Sequence, residues 1–194
     1  MKSYDILVLG SSYLTELSVK YLLDVSDYNL VGYVPCRNTI PIEGNIPLEK
    51  VDINQPCDIK LSLQYDIIVN DTSNAYNLHT GLLPEYGGRD ILDHTIKNEE
   101  REQGLTFHKM TEDLDYGPII SKITYPVLDT DCSFDLYKRM LEIAPPFVHG
   151  SLKLLNSMKQ KEIEKCYKCP PTMYSRGEFE LSEKFKEFIK CKKY

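Results

Sequence analysis

Hydrophobic residues along this chain form short apolar runs that alternate with stretches of helical spacing, which is the pattern of an α/β protein. The runs at residues 5–10 and 29–35 predict buried parallel strands, and the spacing within residues 15–23 predicts the helix that connects them. A third run, DIIVN at residues 66–70, predicts another buried strand. The expected fold is therefore a mostly parallel twisted sheet with helices on both faces.

The middle of the chain repeats this alternation with more polar residues on the strands. Residues 75–79 predict a strand on which Asn77 and His79, two positions apart, extend from the same face. Residues 91–98 have helical spacing, and residues 104–110 alternate apolar and polar positions as a half-buried strand does. The pattern thus predicts a strand–helix–strand unit that begins with a carboxamide beside an imidazole.

An acidic loop follows that unit. It contains Asp113 and Asp115 and ends in a Gly-Pro turn, after which residues 119–127 predict one more strand. If the unit is a right-handed crossover between parallel strands, this loop lies at the same sheet edge as Asn77 and His79. The sequence therefore predicts that an amide, an imidazole and a carboxylate converge at that edge.

The C-terminal third of the chain is predicted to be helical. Residues 131–145 and 147–158 have helical spacing and are separated by a proline pair, which is expected to break the helix. We expect one domain over residues 1–165 and a short C-terminal tail over residues 166–194. The tail has apolar residues at the spacing of an amphipathic helix, namely Phe179, Leu181, Phe185 and Phe188.

Composition narrows the range of partners. The 194 residues have 42% hydrophobic content, enough for a core, and a net charge of −6, which argues against nucleic acid as a partner because that partner needs a basic face. No apolar run approaches the roughly 20 residues that a membrane span needs, and the first residues lead into a strand rather than a signal peptide. We therefore expect a cytoplasmic protein that binds small molecules and neither nucleic acid nor a membrane; a homodimer remains open.

The six cysteines include one C-x-x-C pair, at Cys166 and Cys169. A zinc site normally needs a second pair at similar spacing, which the remaining cysteines do not supply. We therefore expect structural thiols in a reducing compartment and no metal site.

Two places near the predicted strand ends leave alternatives open. The turn after the first strand has one glycine and lacks the G-x-G-x-x-G pattern of dinucleotide-binding proteins, so Ser11 and Ser12 there would either cap the helix or contact a substrate phosphate. Arg89 follows the loop after the N-x-H strand. It would either bind a phosphate or carboxylate of the substrate or form a surface salt bridge.

Four motifs taken together resemble the catalytic core of the formyltransferase family. They are N-x-H from residue 77, LLP-x-Y-x-G from residue 82, G-x-T-x-H from residue 104 and LD-x-G-P-I from residue 114. The resemblance implies a Rossmann-like domain that uses 10-formyltetrahydrofolate, with Asn77, His79 and Asp115 at the positions of the family's catalytic Asn, His and Asp. Gly81, where several folate enzymes of the family have Ser, makes the chain most similar to the members that modify amino sugars.

The chemistry of formyl transfer explains why these residue types are needed. An amine attacks a carbonyl, negative charge develops on the carbonyl oxygen, and a proton leaves the nitrogen. Asn77 has an N–H that can donate to that oxygen, and His79 can move the proton near neutral pH. Asp115 would hold the imidazole or a water in place.

The resemblance also implies folate contacts from Thr111, Glu112 and Asp113 in the acidic loop, and from Asp71 before the N-x-H motif. Residues 71–76 form a shorter link than the family has there, too short for a helix between parallel strands. Our leading hypothesis is an N-formyltransferase that acts on the primary amine of a nucleotide-linked amino sugar. The alternatives are glycinamide ribonucleotide as acceptor, and a non-catalytic binding module on the same fold that has lost the folate pocket.

Overall fold

A computed structural model describes residues 4–25, 27–37, 42–167, 169–175 and 183–192. The strands in these ranges are β1 (Asp5–Leu9), β2 (Asn29–Val34), β3 (Ile59–Leu63), β4 (Ala75–His79), β5 (Gly87–Gly88), β6 (Glu102–Lys109), β7 (Ile119–Pro126) and β8 (Met173–Tyr174). The helices are α1 (Tyr13–Val25), α2 (Ile91–Lys97), α3 (Ser133–Ser157), α4 (Gln160–Ile163) and α5 (Glu183–Lys192). None of these described helices combines the length and the apolar character needed to cross a membrane.

Six strands form one sheet in the order β2-β1-β3-β4-β6-β7. The first four pair in parallel, whereas β6 is antiparallel to both of its neighbours. The predicted fold class, a mostly parallel Rossmann-like sheet with helices, is confirmed. The predicted right-handed crossover between β4 and β6 is wrong. Strand β6 pairs with β4 in the antiparallel direction, so residues 80–101 join the two strands without a parallel crossover. In this orientation Leu105 and Phe107 pack into the main core, and His108 lies beside Asn77.

The third parallel strand lies earlier in the chain than predicted. It is β3, with sequence IKLSL, whereas residues 66–70 belong to the connection that follows it. Polar and apolar residues alternate in this strand. Leu61 packs in the main core, and Ser62 extends from the opposite face. The connection to β4 therefore spans residues 64–74 rather than the predicted 71–76, and it contains no helix.

The two faces of the sheet are covered differently. The larger apolar cluster includes strand residues such as Leu61 and Phe107 and side chains from all five helices. The smaller cluster includes Leu7 and Ala75 with loop residues such as Val69, and no residue of a described helix contributes to it. The helices expected on both faces thus pack on one face among the described residues, because the described parts of the connections before β3 and β4 form loops. The loop-covered face carries the candidate site.

A single helix, α3, runs through the proline pair that was expected to break it. Pro145 and Pro146 both lie inside this helix of 25 residues. Each proline removes one backbone donor. The helix nevertheless buries the same apolar face on both sides of the pair, with Met140 before it and Val148 and Leu152 after it. Packing against the sheet therefore outweighs the local preference for a break.

The C-terminal tail contacts the rest of the chain at two places. Its strand β8 pairs in parallel with β5, and its helix α5 packs Phe185 and Phe188 against α3. The tail thus contains the helix that its apolar spacing predicted, although Phe179 and Leu181 lie outside the described residues. The division of the chain into one domain and a tail remains a prediction.

Candidate active site

Three side chains form a row across the loop-covered face, one from each of three adjacent strands. Ser62 of β3 is in register with Asn77 of β4, which is in register with His108 of β6. Ser62 Oγ lies 2.8 Å from Asn77 Oδ1, and Asn77 Nδ2 lies 3.2 Å from His108 Nε2. Both ends of the Asn77 amide are therefore held by neighbouring strands.

The direction of these hydrogen bonds follows from His108. Its Nδ1 lies 3.0 Å from the carbonyl oxygen of Lys109, which can only accept, so Nδ1 carries the hydrogen. Burial, together with the nearby His79 ring, lowers the pKa of His108 from 6.5 to about 4, so near pH 7 the ring is neutral and Nε2 accepts. Asn77 Nδ2 therefore donates to His108, and Asn77 Oδ1 accepts from Ser62. This bond uses one of the two hydrogens on Nδ2.

His79 lies two residues beyond the amide on the same face and is 6% exposed. Its Nε2 lies 2.6 Å from the carbonyl oxygen of Tyr86, which places a hydrogen on Nε2. In the neutral ring Nδ1 then has a lone pair, and it faces Asp115 Oδ1 at 3.6 Å. A proton taken up at Nδ1 would turn this contact into an ion pair.

Asp115 reaches this position from the loop between β6 and β7. It has a left-handed φ of 55° and is 8% exposed. Its Oδ2 accepts from the backbone N–H of Gly88 at 2.9 Å, and its Oδ1 lies 3.8 Å from His108 Nε2. The expected convergence of amide, imidazole and carboxylate is thus observed, but by another route. Because β6 is antiparallel, the loop starts beside Ala75 and folds back over the sheet face.

These side chains line a cavity of about 340 Å³. One wall is the 64–69 part of the connection before β4, and the opposite wall is the 110–115 loop, which includes the predicted folate contacts Thr111, Glu112 and Asp113. Ile68 and Leu114 at the rim are 82% and 61% exposed. Apolar walls with a few convergent polar groups, at this volume, are typical of a small-molecule pocket.

Two other predicted residues lie on different sides of this cavity. Arg89 is exposed and lines the cavity itself. Asp71 lines a second cavity of about 400 Å³ on the far side of the 64–69 wall. There its carboxylate accepts from Lys60 Nζ at 2.7 Å, and this contact lowers the pKa of Asp71 from 3.8 to about 2. Arg89 therefore lines the same cavity as Asn77, and Asp71 lines the other one.

The two serines after β1 contact backbone groups. Ser12 Oγ accepts from the backbone N–H of Thr15 at 3.2 Å and so caps α1. Ser11 Oγ accepts from the backbone N–H of Cys36, also at 3.2 Å. Ser12 in addition lines a third cavity, of about 260 Å³, beside the first one. The capping interpretation of Ser12 thus agrees with the structure, and a role in substrate binding stays a prediction.

All six cysteines are free thiols. Across the described ranges, no three His, Cys, Asp or Glu side chains are grouped so that they could hold a metal ion. The cavity lining itself contains the amide, the two imidazoles and the Asp115 carboxylate described above, together with the charged side chains of Glu112, Asp113 and Arg89.

Sequence reasoning assigns no site role to Ser62, Thr106 or His108. Thr106 Oγ1 donates to the carbonyl of Gly81 at 2.7 Å and accepts from the N–H of Leu83 at 3.0 Å, so it holds the turn that follows β4. The alternation within residues 104–110 already places Thr106 and His108 on one face. Only the antiparallel register shows that this face is the one that bears the amide.

Residues 62–149 match a family model described as formyl transferase. The matched segment begins at the serine of the row and contains Asn77, His79, His108 and Asp115. The resemblance inferred from the four motifs is therefore confirmed for this part of the chain.

One curated relative is the bifunctional polymyxin resistance protein ArnA of Wigglesworthia glossinidia brevipalpis. It is 31% identical over 102 residues, which are 53% of this chain and 16% of that protein. The chain thus spans about a sixth of the length of this relative.

Solved structures show the same fold. An N-formyltransferase from Helicobacter canadensis, in complex with folinic acid and dTDP-3-aminofucose, has a TM-score of 0.70 at 20% identity, over 88% of this chain and 70% of that chain. A phosphoribosylglycinamide formyltransferase from Anaplasma phagocytophilum has a TM-score of 0.68 at 19% identity, over 91% of this chain and 100% of that chain. This chain therefore has the same fold as these two formyltransferases.

Proposed function

We propose that this chain is an N-formyltransferase that moves a formyl group from 10-formyltetrahydrofolate to a primary amine. The observation that carries the proposal is the convergence of Asn77, His79 and Asp115 on one cavity, within the segment that matches the family. The cavity fits the donor in kind, because the 64–69 and 110–115 walls offer apolar side chains to a flat heterocycle and polar groups to its edges.

The proposed roles follow from the hydrogen-bond directions in the site. 10-Formyltetrahydrofolate would supply an activated carbonyl group. Asn77 has one Nδ2 hydrogen beyond the one it already donates, and this hydrogen would stabilise negative charge on the carbonyl oxygen. His79 would accept the amine proton at Nδ1, since its Nε2 hydrogen is held by Tyr86. Asp115 would then face the imidazolium at 3.6 Å. His79 would return this proton to the folate nitrogen as the bond between that nitrogen and the formyl carbon breaks, which regenerates the neutral imidazole and releases tetrahydrofolate.

For the acceptor we propose the amino group of a nucleotide-linked sugar. The likeness to an N-formyltransferase bound to dTDP-3-aminofucose supports this choice, and so does the exposed guanidinium of Arg89 at the cavity, a group suited to phosphate. Glycinamide ribonucleotide is the second candidate, because the chain covers the whole length of the Anaplasma phagocytophilum enzyme. A cytoplasmic location, where the free thiols would stay reduced, is part of the proposal.

The test combines turnover with folate binding. The purified chain is incubated with 10-formyltetrahydrofolate and, in turn, nucleotide-linked amino sugars and glycinamide ribonucleotide, and mass spectrometry detects the gain of a formyl group. We expect product with one of these amines, and a fall in turnover of about 100-fold or more in Asn77→Ala and in His79→Ala.

The matched control is His149→Ala, which removes an imidazole from α3 outside the cavity and should leave turnover unchanged. Calorimetry with a folate analogue separates the remaining alternative. Binding without turnover on any of the amines would favour a non-catalytic module, and no binding even at millimolar concentration would refute the folate-dependent function.

A further inference from the structure

The segment at residues 86–88 holds both members of the His79–Asp115 pair. The carbonyl oxygen of Tyr86 accepts from His79 Nε2 at 2.6 Å, and the N–H of Gly88 donates to Asp115 Oδ2 at 2.9 Å. The first contact decides which nitrogen of His79 carries the hydrogen, and the second leaves Asp115 Oδ1 to face the other nitrogen. A displacement of this segment would therefore disturb both groups at once.

The C-terminal tail holds this segment in turn. Gly87 N and Arg89 N each donate, at 3.0 Å, to the carbonyl oxygens of Thr172 and Tyr174 respectively. The rings of Tyr86 and Tyr174 stack with a centroid distance of 4.9 Å and an interplanar angle of 3°. A two-residue strand pair is not stable by itself, so side-chain contacts such as this aromatic stack help to keep β8 on β5. The ring of His94, with its centroid 4.5 Å from that of Tyr174, is a second such contact.

The residues around the stack allow β5 and β8 to lie close together. Gly88 has a φ of 98°, and a Cβ atom there would lie 2.1 Å from the carbonyl oxygen of Tyr174. The Tyr86 hydroxyl donates to Glu100 Oε1 at 2.6 Å, and Asn98 Nδ2 donates to the hydroxyls of Tyr86 and Tyr174 at 2.9 and 3.2 Å. Both tyrosines are thereby tied to the C-terminal end of α2.

We propose that Tyr174 is a positioning residue for the His79–Asp115 pair, acting through its stack on Tyr86 and its backbone contacts with β5. Tyr174 lies outside residues 62–149, the segment that matches the family, so the tail has a part in the site that the matched segment does not contain. The test of this role by kcat rests on the proposed formyl transfer. The test by the NMR spectrum of His79 does not depend on that function.

The test uses the full chain with Tyr174→Ala and Tyr174→Phe. In ¹⁵N-histidine NMR spectra, His79 should have its hydrogen on Nε2 in the wild type and lose this preference in Tyr174→Ala. We expect kcat to fall about 100-fold in Tyr174→Ala with KM for 10-formyltetrahydrofolate nearly unchanged, because the pair is misplaced while the 64–69 wall of the cavity remains. Tyr174→Phe keeps the ring and the backbone contacts and should stay within about threefold of wild type.

Two further variants keep the test decisive. Tyr174→Leu retains an apolar side chain without a flat ring and should repeat the alanine result if Tyr174→Ala does not fold. Phe188→Ala removes a ring from the same tail, at its contact with Tyr13, and should change neither the NMR spectrum of His79 nor kcat.

The proposal is overturned if Tyr174→Ala keeps the His79 Nε2 hydrogen and wild-type kcat, or if Phe188→Ala and Tyr174→Ala have equal effects. A wild-type protein without formyl transfer would refute the proposed function, whereas the NMR comparison would still decide the positioning role.

Discussion

Protonation of His108 is expected to destabilise the fold in acid. In the folded protein this ring is 2% exposed, its Nδ1 hydrogen is held by the carbonyl of Lys109, and its Nε2 accepts from Asn77. A proton on Nε2 would place a second donor against the Asn77 amide and a positive charge in a buried site beside His79. The perturbation is therefore a change of pH, and His108→Gln is the variant that removes the titrating group.

The size of the effect follows from the pKa of His108. Burial is the largest cause, and the charge of His79 the second, of the fall from 6.5 to about 4. Between these pH values the unfolded chain binds the proton and the folded protein does not, so this stability is complete above pH 6.5 and is lost as pH falls towards 4. At about 1.4 kcal/mol per pH unit, the free energy of unfolding falls by about 3 kcal/mol across the whole interval from pH 6.5 to 4. At pH 5 the fall is about 2 kcal/mol.

The assay is urea unfolding at pH 7 and pH 5, with the free energy of unfolding extrapolated to water. The wild type should lose about 2 kcal/mol more than His108→Gln between the two pH values. If the wild type and His108→Gln lose the same free energy, His108 is not the buried neutral acceptor described above.

Two more predictions concern the row and the acidic loop. Ser62→Ala removes the donor to Asn77 Oδ1, so the amide is held at one end only and kcat should fall about tenfold; an unchanged kcat in steady-state kinetics would show that the serine does not orient the amide. Gly117→Ala would place a Cβ atom 1.6 Å from the carbonyl oxygen of Lys109, so urea unfolding should show a loss of about 1–3 kcal/mol. Gly150→Ala, where a Cβ atom meets nothing within 4 Å, is the control for this loss and should lack it.

Local patterns predict much of this architecture. The strand predicted at residues 75–79 has the bounds of β4, because its flanking turn signals are strong and its polar positions alternate. The same alternation places Asn77 and His79 on one face, whereas only the resemblance to formyltransferases distinguishes Asp115 from Asp113. These features depend on residues close together in the chain.

Features that depend on distant residues cannot be predicted in the same way. Lys60 and Ser62 interrupt the apolar pattern of β3, so the continuous run at residues 66–70 gives the stronger strand signal although it forms no strand. The register between Asn77 and His108 spans 31 positions, and the contact of Tyr174 with Gly88 joins the tail to a loop far earlier in the chain. Spacing along the chain carries no information on either pairing.

The row from Ser62 to His108 makes the proposed activity a measure of whether the strands have folded in the correct register. Side chains on a strand alternate between faces, so a slip of β4 by a single position would turn Asn77 towards the helices and put an apolar neighbour in its place. A compact molecule with β4 in the wrong register would therefore lack the proposed formyltransferase activity. Specific activity would then measure the fraction of molecules with the correct strand register, which the total amount of soluble protein does not report.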